Sequence, residues 1–186
     1  IMILDGDIYV GQHGADPASF QVQSKPHYAQ EALWRIVYDN DFYPKGIERS
    51  DGPSWRQPWT VKDGSGWNLG QNPQTGRTFH FNNAAGASTL YFDPDANPSN
   101  HPLTDFIAYD FEQRGEDNPV HDLKLSFFYV RNSGDGPLRA TLGDGRGSRF
   151  AAVITPDAAK LVRIDAAGGH EIGSVHLKPG AAPIHI

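Results

Sequence analysis

Between Val120 and Leu177 the sequence is a succession of short runs in which apolar and polar residues alternate, each cut off by Gly, Asp or Pro. In Asp122-Leu-Lys-Leu-Ser-Phe-Phe-Tyr-Val-Arg131, Leu123, Leu125, Phe127 and Tyr129 fall on one side; Lys124, Ser126, Phe128 and Val130 fall on the other. Asn132-Ser-Gly-Asp-Gly136 ends that run, and Leu138–Leu142 ends at Gly143-Asp-Gly-Arg-Gly147. Arg149–Ile154 stops at Thr155-Pro-Asp157, Lys160–Ile164 at Gly168-Gly169, and Glu171–Leu177 at Pro179-Gly180. Period two places alternate side chains on opposite faces of a pleated strand, so the segment is expected to be an antiparallel meander. A sheet with one apolar face needs a second layer to cover it, and the rest of the chain must supply that layer.

The N-terminal residues repeat the theme. Ile1–Leu4 and Ile8–Val10 flank Asp5-Gly6-Asp7, a turn signal because Asp and Gly tolerate positive φ. Gly11–Ser19 is polar, and Phe20-Gln-Val22 is a further short strand. One helix is expected, over Ser24–Asn40. Ser24 would cap it, Pro26 fits its first turn, and Ala29, Ala32, Leu33, Ile36 and Val37 form one apolar stripe that Trp34 and Tyr38 widen. The stretch from Phe42 to Gln74 reads as irregular. Arg77–Phe81 and Ser88–Phe92 read as strands, Asp93–Pro102 as a loop, and Thr104–Gln113 as a strand with aromatics on both sides.

With 20 Gly and 14 Pro among 186 residues, the turns are numerous enough for an all-β fold. The expectation is one domain over residues 1–186, a two-layer antiparallel β-sandwich of the jelly-roll or concanavalin-like kind with one amphipathic helix. Residues 1–23 would form a hairpin continuing from an upstream domain, since the chain opens on Ile-Met inside a strand. A net charge of −6 and pI near 5.7 argue against nucleic acid or anionic lipid as partner. The absence of cysteine removes disulfides, thiol chemistry and Cys-ligated zinc. No apolar run reaches the length of a membrane span, and no stretch has the pattern of a signal peptide.

Several patterns carry candidate chemistry. Ser54-Trp-Arg-Gln-Pro-Trp59 and Gly66-Trp-Asn68 set flat rings beside polar groups. Sugar rings stack on such rings while amides and guanidinium bind hydroxyls, so Trp55, Arg56, Trp59, Trp67, Asn68 and Gln71 form a candidate saccharide site; the alternative is that the rings cover an open end of the sandwich. Asp93, Asp95 and Asn97 alternate oxygen ligands as a calcium loop begins, but the glycine and the distal Glu of such a loop are replaced by Pro98 and Thr104, and a turn-rich connection is the simpler reading. The eight histidines are scattered without metal spacing. Asp105, Asp110, Glu112, Glu116 and Asp117 could contain a glycosidase pair, but sequence does not give their separation. Ser148 sits in a Gly-rich hairpin turn, with no nucleophile elbow and no phosphate-loop lysine.

Ile3-Leu-Asp-Gly-Asp-Ile-Tyr-Val-Gly11 resembles the hairpin that follows the catalytic lysine region of signal peptidase I enzymes. Phe20–Pro26, Ala32–Asp41, Leu103–Tyr109 and His121–Leu123 resemble members carrying a large inserted β domain beyond that hairpin. The family's Ser–Lys dyad and membrane anchor have no counterpart here. Gly143-Asp144, Arg146 and Ser148-Arg149 echo a later family motif in shortened form, without its Asp before Ser-Arg. The resemblance therefore implies a non-catalytic, extracytoplasmic accessory portion of a signal peptidase I-like membrane protease, with no catalytic residue carried over and no cofactor. Its partner would be a protein or a cell-envelope polysaccharide surface. A lectin-like module and a glycan-processing enzyme are the other two functional expectations.

Overall fold

The computed structural model describes residues 1–4, 7–42, 56–70, 76–84, 86–96, 122–143, 147–178 and 183–185. These are rich in strand and assemble into several antiparallel sheets, with one α-helix. The expected strand Thr104–Gln113 and the five acidic residues from Asp105 to Asp117 lie outside the described residues. Two compact units, Ile1–Phe42 and Tyr43–Ile186, are taken separately.

In the first unit, β1 (Met2–Leu4) pairs antiparallel with β2 (Asp7–Val10), with Met2 opposite Tyr9 and Ile3 opposite Ile8. β2 pairs in turn with β3 (Gln21–Val22), so the expected hairpin gains a third strand. A 3-10 turn at Pro17–Ser19, capped by the Asp16 carboxylate accepting from Ala18 N at 3.0 Å, reverses the chain between them.

The helix is much shorter than the apolar stripe suggests: α1 runs over His27–Leu33 only. Pro26, not Ser24, occupies the N-cap and makes no side-chain cap bond, and Trp34 already has extended backbone (φ −63°, ψ 127°). No residue of α1 is buried, and beyond it Ile36 is 76% exposed. A helix this short is held by packing of its apolar face rather than by propensity. A stripe left in solvent gives nothing to extend the helix, and the β-branched pair Ile36-Val37 disfavours continuation.

In the second unit, β4 (Trp59–Asp63) pairs with β7 (Thr89–Phe92), and β5 (Trp67–Asn68) with β6 (His80–Phe81). The pairs are nested, so residues 59–68 and 80–92 form one two-stranded ribbon interrupted at Gly64–Gly66. That interruption needs glycine. Gly64 has φ 78° and Gly66 φ 100°, and a Cβ on Gly64 would stand 2.6 Å from the Ala87 carbonyl oxygen. Strands β4 and β5 arise inside the stretch expected to be irregular. Their residues, Trp-Thr-Val-Lys and Trp-Asn, find partners more than ten positions away, which local pattern does not reveal.

β8 (Phe128–Tyr129) pairs with β13 (Ile184–His185) over two residues only. The Asp122–Arg131 alternation holds in burial from Lys124 onward: Leu125, Phe127 and Tyr129 are half-buried and Lys124, Ser126, Phe128 and Val130 exposed, whereas Leu123, expected with the first group, is 38% exposed.

The main sheet is the expected meander without its first strand, since Phe128–Tyr129 pairs with β13 instead. β9 (Leu138–Gly143), β10 (Arg149–Ile154), β11 (Ala158–Asp165) and β12 (Gly168–His176) lie in spatial order β12-β11-β10-β9, all antiparallel. Register places Leu138, Ala140, Leu142, Phe150, Ala152, Ile154, Ala159 and Leu161 on one face. Ile154 on that face and Ala151 on the other are the fully buried apolar residues of the described core. The β10–β11 turn is fixed by Thr155, whose hydroxyl donates to Asp157 Oδ1 at 2.8 Å and accepts from Ala158 N at 3.2 Å. At the β11–β12 turn the sequence expectation shifts. The reversal falls on Ala166-Ala167, held by Asp165 Oδ1 accepting from Ala167 N at 2.9 Å, and the two glycines open β12 instead of ending β11.

Candidate functional site

Of the candidate saccharide residues, Trp59, Trp67 and Asn68 fall on the ribbon. Trp59 meets Phe92 and Phe79 edge-on, with centroids 5.3 and 6.3 Å apart, and Trp67 meets Phe81 at 5.0 Å. The Trp67 indole N–H donates to the Ser88 carbonyl at 3.3 Å. Both rings are half-buried; the Trp59 contacts have the edge-to-face geometry that aromatic pairs favour in packing, and the Trp67–Phe81 pair is tilted by 46°. Asn68 follows Trp67 on one strand and so points to the opposite side of the ribbon. Its Oδ1 accepts from Gly70 N at 2.9 Å, closing the local turn. Arg56 is exposed beside the start of β4. Trp55 and Gln71 lie outside the described residues. The opposite side of β4–β7 carries Lys62 over the Tyr91 ring at 4.7 Å, a cation–π contact.

Of the calcium candidates, Asp93 and Asp95 lie at a 3-10 turn over Pro94–Ala96, and Asn97 lies outside the described residues. Asp93 Oδ1 accepts from Asp95 N at 3.0 Å, which engages one carboxylate oxygen in shaping the turn. Among the described residues no group of three His, Asp or Glu side chains converges as a metal site would require.

A contact not foreseen in the sequence is Ser126 Oγ to His185 Nε2, 2.8 Å, across the β8–β13 bridge. His185 also stacks on Phe128 at 4.8 Å. A serine beside an imidazole is the beginning of a nucleophile–base pair. Both side chains are exposed, and among the described residues no carboxylate pairs with the imidazole. Catalysis of that kind needs an oriented ring and donors for the developing oxyanion in a water-excluded site. The stacking on Phe128 gives the pair a packing role that an exposed ladder end can use.

An apolar hollow belongs to the meander. Leu125 and Phe127 lie over the β9–β11 face and, with Ala140, Leu142, Phe150, Ala152 and Leu161, line this hollow of about 110 Å³. Phe150 is 42% exposed and Leu161 45%. β12 closes the sheet on that side with all nine of its residues exposed, Ile172 at 53% and Val175 at 60%. Opposite Leu161 stands Gly173, so no side chain separates Leu161 from the open edge. On the other face Lys160 Nζ donates to Glu171 Oε2 at 2.9 Å. That bond holds the Glu171 carboxyl below, and the Lys160 amine above, their ordinary values. The Thr155 hydroxyl likewise lowers Asp157. Nothing in the residue pattern of Gly168–His176 marks β12 as an edge strand. The signal that could have found its gap is a glycine at an apolar-face position of an alternating run.

Comparison with family models, with curated proteins and with solved structures finds no match for this chain.

Proposed function

We propose that this chain is a non-catalytic β-rich binding module, the extracytoplasmic accessory portion of a signal peptidase I-like protein, and that it presents a sheet surface to a protein partner. The observation that carries this reading is the concentration of exposed apolar residues on one ordered sheet: Phe150, Leu161, Ile172 and Val175, beside a hollow lined only by apolar side chains. Contiguous exposed apolar surface on a regular element is costly unless something covers it. In this reading the meander is one layer of a two-layer sandwich. Leu125 and Phe127, which already lie over its apolar face, support that arrangement. The Ile3–Gly11 hairpin supports the choice of parent family.

The saccharide reading draws less support, because Trp59 and Trp67 pack against phenylalanine rings and Asn68 lies across the ribbon from Trp67. The deciding experiment is incubation of the purified chain with a signal-peptide-bearing substrate and with an activated acyl ester. No turnover is expected. Turnover that is lost in Ser126→Ala would overturn the proposal and make the Ser126–His185 pair catalytic.

A further inference from the structure

Strand β12 is a sheet edge built to be extended. Among the described residues it pairs with β11 on one side only, at one end of the four-strand order, and every one of its nine residues is exposed. An edge strand offers a row of N–H and C=O groups to any extended segment, and proteins blunt such edges with proline, charged side chains, bulges or cover. Gly168-Gly-His-Glu-Ile-Gly-Ser-Val-His176 contains neither Pro nor Lys, its one acidic residue, Glu171, is engaged by Lys160, and its one blunting device is the single-residue bulge at Ile172, which leaves Gly173–His176 in regular register with β11.

The edge also carries a defined gap. Gly173 is directly opposite Leu161 and Val175 opposite Ala159, so both stand on the apolar face of the sheet. Nothing in the fold demands glycine at 173. Its backbone is outside the positive-φ region, and a Cβ there would meet no atom within 4 Å. What glycine does is leave Leu161, a wall of the hollow, open toward the edge. A strand added beside β12 would run about 4.8 Å from it and about 10 Å from β11. From that distance an aromatic side chain placed opposite Gly173 leans over the missing Cβ onto Leu161, as aromatic residues do when they cover an edge glycine. The other face of β12 shows Glu171, Ser174 and His176, which suit polar side chains. Ile172 is the extra residue of a bulge against the Leu161/Val162 step, and the bulge is what turns Glu171 toward Lys160.

We infer that β12 binds an extended peptide by strand addition, and that the preferred peptide alternates polar and apolar residues with an aromatic residue opposite Gly173 and an aliphatic one opposite Val175. The inference rests on the binding-module reading and names the partner chemistry of that surface.

The test uses the whole chain and a fluorescein-labelled heptapeptide, Thr-Val-Thr-Phe-Thr-Val-Thr. Three companions are the same peptide with Ala for Phe and the two forms N-methylated at alternate backbone nitrogens. Polarisation titrations measure affinity, and amide NMR shifts locate the contact. Saturable binding with shifts concentrated in residues 168–176 and at Leu161 is expected. Ala for Phe should weaken it at least fivefold, and N-methylation of the set that faces β12 should abolish it while the other set is tolerated. Gly173→Leu, checked for unchanged circular dichroism, should weaken binding at least fivefold by closing the gap. The inference is overturned by any of four results: no binding at roughly 1 mM peptide; equal binding of both N-methylated forms; full affinity in Gly173→Leu; or sedimentation showing that the free chain dimerises through β12, which would make a second copy the occupant. Absence of peptide binding together with absence of turnover would refute strand addition alone. Ser126-dependent turnover would refute the non-catalytic reading whatever the peptide does.

Discussion

Arg131 offers the sharpest test of how the meander is held. Its guanidinium donates from one terminal nitrogen to the carbonyls of Gly134 at 2.9 Å and Gly136 at 2.7 Å, and from the other to the Ile154 carbonyl at 3.3 Å. It also stands over the Tyr129 ring at 5.6 Å. One side chain thus ties the Asn132–Gly136 connection to the end of β10. Arg131→Met keeps the stem and removes every donor. The two glycine carbonyls are in exposed turns and regain water, so each bond is worth about 0.5–1.5 kcal/mol. The Ile154 carbonyl belongs to a residue only 1% exposed, and leaving it without this donor costs about 1–3 kcal/mol. The total is about 2–6 kcal/mol. In urea, with a slope of roughly 2 kcal/mol per molar, the unfolding midpoint of the Tyr43–Ile186 unit should fall by about 1–3 M. Arg131→Lys should recover only part of this, because an ammonium group cannot span three carbonyls as a planar fork does. Far-UV circular dichroism against urea measures both variants. A midpoint within about 0.2 M of wild type for Arg131→Met would show that water replaces these bonds without loss, and the reasoning would be wrong.

Gly64→Ala should destabilise by about 2 kcal/mol, since φ 78° is strained for alanine and its methyl would meet the Ala87 carbonyl; thermal unfolding reads the loss. Trp59→Ala removes a half-buried ring from Phe79 and Phe92 and should cost about 2–3 kcal/mol, with loss of near-UV dichroism. Thr155→Val should bring the Asp157 carboxyl back up toward the ordinary carboxylate value in an NMR titration. Because the folded carboxyls of Asp157 and Glu171 titrate low, their contribution is complete above the ordinary carboxylate range and fades as pH falls through the lowered values. Lys160 titrates high, so its share persists below the ordinary lysine value and fades only as pH rises through the raised one; in Glu171→Gln the Lys160 amine should titrate lower. Gly173→Val should raise stability by about 0.5–1 kcal/mol, since glycine inside a strand forfeits backbone entropy and packing, and an unchanged or lower urea midpoint would contradict this.

The meander was legible because its information is local. Arg149–Ile154 forms a strand with the bounds its alternation suggests, and Thr155-Pro156-Asp157 turns where its residue types turn. The N-terminal hairpin was legible for the same reason. Longer-range features were not. Trp59–Asp63 contains Thr60 and Val61, good strand formers, yet its neighbours are Gly, Pro and Trp, and its partner Thr89–Phe92 is remote. The helix was over-read for the opposite reason. Ala29, Leu33, Ile36 and Val37 do have helical spacing, but spacing stabilises a helix only when the stripe is covered, and Leu33 is 65% exposed. For the candidate site, the tryptophans were found by composition, while their orientation came from Phe79, Phe81 and Phe92, which sequence could not assign as partners.

The glycines separate structural need from another kind of need. Gly64 and Gly66 combine positive φ with neighbours closer than a Cβ allows, so the ribbon corner cannot form without them. Gly70 has φ 72° and a would-be Cβ 2.6 Å from Gly76 Cα, the same double constraint at the ribbon tip. At Gly173 neither constraint holds, although a strand interior is a poor place for a residue without a side chain. A fold optimising the four-stranded sheet alone would place a β-branched residue there, covering Leu161 and carrying the apolar row of Ala140, Ala152 and Leu161 to the edge. The bare position makes sense under the strand-addition inference, in which an added strand's own side chain fills the gap that the described residues leave open.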